Sequence, residues 1–116
     1  MKAWEVYASY SNNYCDVVFA DTRSKAKVKL LESRTKLDSE LAHDDSVEWI
    51  DIRVKRLPEL DGMENDSAMH IVEALLLKCA WTYMIVPDGK TWNADNFNKE
   101  EFEKEWKNEK NSKNFL

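Results

Sequence analysis

Two histidines, two cysteines and a scatter of carboxylates are the side chains of this chain with chemistry to offer. Nucleophilic catalysis needs a Ser or Cys held against a His and an orienting carboxylate. His43 lies in the polar run His43-Asp44-Asp45-Ser46, and His70 opens an apolar periodic stretch. Neither falls in a catalytic spacing, so each reads as a surface or helix-face histidine, and no enzyme is expected. Cys15 and Cys79 sit in apolar segments without a C-x-x-C partner. They read as reduced thiols acting as small hydrophobes, with a disulfide between them as the lesser alternative. The densest metal-ligand sets are His43-Asp44-Asp45 and the loop with Asp61, Glu64 and Asp66. Neither follows a calcium-loop pattern, and both read as solvated turns, so neither metal nor cofactor is expected. Gly62 and Gly89 are isolated and each follows an Asp, which is turn usage rather than a phosphate cradle.

Binding surfaces are the remaining candidates. Arg53 and Lys55 project from one side of an alternating segment, with Arg56 beside them. Together with Lys25, Lys27 and Lys29 they could build a basic patch for phosphate or an acidic partner, or simply a solvated face. Trp92, Phe97, Phe102 and Trp106 are concentrated in the polar last quarter. They read either as staples of a terminal helix or as a contact patch, since Trp favours interface hot spots. The candidate partner-binding residues are therefore Arg53, Lys55, Arg56, Trp92, Phe97 and Trp106. A net charge of −5 argues mildly against general nucleic-acid binding, which rests on Lys and Arg against phosphate.

These groups need elements to hold them. Residues 3–10 and 14–20 alternate, with Trp4, Val6, Ala8 and Tyr10 on one face of the first and Cys15, Val17 and Phe19 inward on the second. Ser11-Asn12-Asn13 between them predicts a hairpin turn. Asp21-Thr22 starts a helix over 23–33, which can run or resume to about residue 42. In 47–57, Ile50, Ile52 and Val54 alternate with Asp51, Arg53 and Lys55. This predicts a third strand, interior to the sheet and solvated on its charged side. Asp66 or Ser67 caps a second helix reaching residue 80, and 81–86 predicts a fourth strand closed by Pro87-Asp88-Gly89. Asn98 caps a helix over 99–108, with Phe97 and Phe102 as its hydrophobic staple. At 116 residues, with two Gly and two Pro, one domain is expected, with 109–116 frayed. The expected fold is α+β: a mostly antiparallel sheet of three or four strands, in the order β-β-α-β-α-β-α, covered on one face by helices. No apolar run suits export or a membrane span, which predicts a cytoplasmic protein.

The opening strand, the A-D-T-R-S-K-A helix start and the D-I-R-V-K-R-L-P-E-L-D strand and turn resemble small proteins encoded by bacteriophages and prophages of Gram-positive bacteria. The resemblance covers about the first half of the chain. It carries no function or residue role. It implies an accessory protein made in an infected or lysogenic cell, acting by binding a host or phage protein. Inhibition of host machinery or antiviral defence is the expected use, and a small nucleic-acid-associated module is the alternative.

Overall fold

The computed structural model describes residues 1–86 and 89–114, with the side chains of 11–14 and 110–114 outside the description. The fold is α+β, and the chain divides into two compact units, Met1–Ala68 and Met69–Leu116.

The first unit holds a three-stranded antiparallel sheet in the order β2-β1-β3, from β1 (Lys2–Ala8), β2 (Ser11–Ala20) and β3 (Ile52–Arg56). The central strand is β1, and β3 lies at an edge. The interior position expected of the third strand thus belongs to the first. Directly paired residues share a side of an antiparallel sheet. Trp4 pairs with Val18 and Arg56, and Val6 with Asp16 and Val54, so these residues form one face. The inward set of β2 toward Trp4 is accordingly Val18 and Ala20, not Cys15, Val17 and Phe19. The latter lie with Ala3 on the opposite face, where Ala3, Val17 and Phe19 are also buried. On that face Arg53 and Lys55 of β3 are exposed, and Glu5, Tyr7 and Cys15 are half-buried. A register irregularity at Tyr7/Ala8 moves the hairpin turn to Ser9 and Tyr10, ahead of the Asn pair.

Helix α1 (Arg23–Leu31) starts where expected, with Lys25 N–H donating to Thr22 Oγ1 at 3.2 Å. Its Ala26 and Leu30 enter a core with Trp4, Val6, Val18, Ala20, Leu41, Val47, Ile52 and Val54. The helix does not continue to residue 42. Ser33 turns left-handed at φ 59, and Arg34 N–H closes on Lys29 O at 2.8 Å. The following chain is tied to β2 instead. Lys36 N–H donates to Val17 O at 2.9 Å, and the carboxylate of Asp16 accepts from Leu37 N (3.0 Å), Ser39 N (2.9 Å) and Ser39 Oγ (2.6 Å). A fourth bond to Asp16 comes from Val17 N at 2.7 Å. Four donors are what make a fully buried carboxylate tolerable here. After this anchor, a 3₁₀ turn at Glu40–His43 brings Leu41 into the core.

The expected strand over 47–57 forms only in its second half. Trp49–Asp51 is a 3₁₀ turn, and Ile50 is 72% exposed while Ile52 and Val54 are buried. Local side-chain bonding wins over the ladder here. The Asp51 carboxylate accepts from Glu48 N at 3.3 Å, and Asp51 N–H donates to Glu48 O at 2.9 Å. At the other end of β3, Arg56 grips Asp61 with two bonds of 2.8 and 2.7 Å and lies 5.1 Å from the Trp4 ring. Asp61 also accepts from Ala3 N at 2.8 Å. The Arg56 hydrogen bonds, and then the Ala3 amide, hold the Asp61 carboxyl well below the usual range.

The second unit contains α2 (Ala68–Lys78), the two-stranded pair β4 (Tyr83–Met84) and β5 (Thr91–Trp92), and α3 (Lys99–Asn114). The expected fourth strand therefore shrinks to two residues and leaves the main sheet. Its partner is only a short loop away, so pairing with it costs less chain entropy than reaching a distant edge. Pro87 and Asp88, expected in that turn, lie outside the described residues. Asn98 caps α3 as expected, its Oδ1 accepting from Glu101 N at 3.1 Å. The helix backbone continues to Asn114, six residues beyond the expected end at 108. That extension falls within the segment expected to fray.

Candidate functional site

The basic residues do not form one patch. Arg53 and Lys55 pair across β1 with Tyr7 and Glu5, on the sheet face opposite the α1-packed core. Arg56 lies on the core side, bonded to Asp61 and to Ala3 O. Lys29 donates to Phe19 O, and Lys27 sits 5.1 Å from the ring of Trp49. Arginines also occupy carbonyls of the edge strand: Arg23 donates to Val54 O at 2.8 Å and Arg53 to Ile52 O at 3.3 Å. This is one way proteins blunt an edge against further strand pairing.

The more conspicuous surface of the first unit is the 3₁₀ turn before β3. Trp49 is 44% exposed and Ile50 72%. Two large apolar side chains stand in water side by side on a backbone held from several directions. Ser9 N–H donates to Asp51 O at 2.7 Å, and Arg53 donates to Ile50 O at 2.8 Å, besides the Glu48–Asp51 bonds. On α1, Lys27 covers one ring face of Trp49, and Val28 and Leu31 are also exposed. Leu31 and Val47 line a hollow of about 160 Å³ with Leu41 and Ser33. The strand pattern over 47–57 concealed this surface, because it assigned Ile50 to the core.

The candidate aromatics of the last quarter spend their rings inside the second unit. Trp92 meets Phe97 and Phe102 edge-on, at 6.3 and 5.4 Å between centroids. Phe97 and Phe102 are 5.4 Å apart, as a staple requires, and Trp106 lies 6.0 Å from both Phe102 and Tyr83. Trp92, Phe102 and Trp106 are buried, and Phe97 is half-buried. Trp92 Nε1–H donates to Glu105 at 3.3 Å, and Lys90 lies over its ring at 4.0 Å. These residues make a core rather than a surface.

Of the titratable groups, His43 lies against Asp38, both exposed, and Asp44 accepts from Ser46 N and Oγ. The Ser46 bonds hold the Asp44 carboxyl below its ordinary value. Neither Cys15 nor Cys79 is in a disulfide. Burial first, and then the charges of Glu5 and Asp16, push the Cys15 thiol up, away from reactivity. One group of metal-ligating side chains comes together among the described residues: His70 and Glu73 of α2 and Glu103 of α3, their ligand atoms all within 4.8 Å of one another. Burial, and then the neighbouring Glu103, raise the Glu73 carboxyl above its ordinary value. His70 and Glu73 stand one turn apart on one helix face, a legible spacing. Glu103 joins them only through the fold, thirty residues away, so the sequence showed His70 as solitary.

No protein-family model, no curated protein and no solved structure matches this chain. Among the described residues, no helix is long and apolar enough to cross a membrane.

Proposed function

We propose that this is a non-enzymatic accessory protein that works by binding another protein, in the cytoplasm of a bacterial cell carrying a phage or prophage. Inhibition of host machinery or of antiviral defence is the role that fits the resemblance described above. The observation that supports binding is the Trp49–Ile50 pair. A fixed backbone presents two large apolar side chains to water, beside the ammonium groups of α1. Rigid aromatic and aliphatic anchors of this kind dominate interface energies, because little conformational entropy is lost when they dock. The partner surface that fits is an apolar pocket with an acidic rim facing Lys25 and Lys27. Nucleic-acid binding has less support, because Lys29, Arg53 and Arg56 already serve internal acceptors and the basic residues divide between two faces.

The test is affinity capture from host cells with the wild-type chain and with Ile50→Asp and Trp49→Ala. Both substitutions lie at exposed positions and are expected to leave the fold intact, as circular dichroism would check. A specific prey protein held by the wild type and lost with Ile50→Asp supports the reading. Equal capture by all three chains, or retention on DNA at low salt that falls steeply as salt rises, defeats it.

A further inference from the structure

We propose that His70, Glu73 and Glu103 form a binding site for a divalent transition-metal ion of the Zn²⁺ class, with one coordination position left open. The inference is independent of the protein-binding reading, since every ligand lies in the second unit. The ligand set is one imidazole and two carboxylates, which suits Zn²⁺ and its neighbours and disfavours Mg²⁺ and Ca²⁺, which prefer all-oxygen sites.

The second observation is the burial of the carboxylates. Glu73 is only 9% exposed; its Oε1 and Oε2 of Glu103 are buried with no donor to satisfy them, and the two carboxyl groups meet each other instead. A buried acceptor without a donor is costly, and two adjacent carboxylates repel each other. A divalent cation between them would supply both missing partners and balance two negative charges with two positive ones. The geometry is within reach. Tetrahedral ligands at about 2.1 Å from Zn²⁺ lie about 3.4 Å apart. From a spread within 4.8 Å, closure requires side-chain movement of about an ångström. His70 is exposed, so the site opens to solvent and an ion has a way in. Three protein ligands leave the fourth position to water or to an anionic group, as in open zinc sites rather than closed structural ones.

The experiment is calorimetric titration of the full chain, first stripped with chelator, using Zn²⁺ alone and, in separate arms, Mg²⁺ and Ca²⁺. The expected result is one Zn²⁺ bound per chain, with no binding of Mg²⁺ or Ca²⁺ at the same concentrations. Glu73→Gln, Glu103→Gln and His70→Ala are each expected to weaken Zn²⁺ binding at least about tenfold. His43→Ala and Cys79→Ser should leave it unchanged. Glu73→Gln keeps the side-chain shape and removes the like-charge pair. Its metal-free melting temperature is therefore expected to match or exceed that of the wild type, which separates lost binding from lost folding. No saturable Zn²⁺ binding overturns the proposal. So does binding unaffected by Glu73→Gln and His70→Ala, or binding abolished by His43→Ala instead.

Discussion

Removing the carboxylate of Asp16 should cost the first unit more than any other single polar truncation. Asp16 is fully buried and accepts four hydrogen bonds: Val17 N, Leu37 N, Ser39 N and Ser39 Oγ. In Asp16→Ala, these donors lose their acceptor together. Each buried donor left unsatisfied costs about 1–3 kcal/mol, and the Ser39 hydroxyl can turn elsewhere. Allowing water to reach part of the loosened loop, the expected loss is about 3–5 kcal/mol. For a unit of this size that is a fall of at least about 12 °C in melting temperature. Asp16→Asn should cost less, about 1–3 kcal/mol. Its amide oxygen can still serve Val17 N and Leu37 N, but its NH₂ would face Ser39 N–H, donor against donor. The assay is urea unfolding of the three chains, with hydrogen exchange read at Leu37 and Ser39. Both amides should lose protection in Asp16→Ala before the strand amides do. The consequence reaches the proposed docking surface, because this anchor fixes the chain that leads through Leu41 and Val47 to Trp49. A loss below about 1 kcal/mol in Asp16→Ala, with both amides still protected, would refute the reasoning.

Three further outcomes are expected. Asp61 is held below its ordinary value by Arg56, so its contribution is present above the unfolded carboxyl value of about 3.9 and is lost as pH falls through the folded one. The stability gap between wild type and Asp61→Asn, followed by denaturation from pH 7 downward, should therefore narrow below about pH 4. Ala80, two residues past the end of α2, sits at φ 57, a conformation that suits glycine, so Ala80→Gly should raise the stability of the second unit by about 0.5–1 kcal/mol in urea unfolding. Phe102 is fully buried and touches three aromatic rings, so Phe102→Ala should cost about 3–5 kcal/mol and remove the near-ultraviolet dichroism of its neighbours.

What was legible in the chain was local. The Thr22 cap, the Asn98 cap and the Phe97–Phe102 staple depend on residues within five positions of one another, and each is found where its spacing puts it. The α+β class followed from the same kind of periodicity. What was not legible depended on distant partners. Alternation placed Ile50 on the buried side of a strand, but Glu48 and Asp51 close a turn there first. Alternation also turned Asp16 outward, where a loop twenty residues on supplies the donors that let it be buried. Tyr83–Met84 had strand composition but paired with Thr91–Trp92, just downstream, instead of the main sheet. His70 looked solitary because Glu103 reaches it only through the packing of α3.

The edge strand bears on how a partner would be held. A protein that recruits an extended peptide leaves the outward N–H and C=O groups of an edge strand free, since main-chain bonds supply the affinity. Here Val54 O and Ile52 O already accept from Arg23 and Arg53. A pairing strand would have to displace two guanidinium groups, and each broken bond offsets one gained. The turn just before the strand has the opposite character. Several of its backbone groups already bond within the protein, and its side chains, Trp49 and Ile50, stand exposed. Recognition at this end of the sheet is therefore expected to work through side chains entering a pocket, with the arginines keeping the adjacent strand from pairing with the wrong chain.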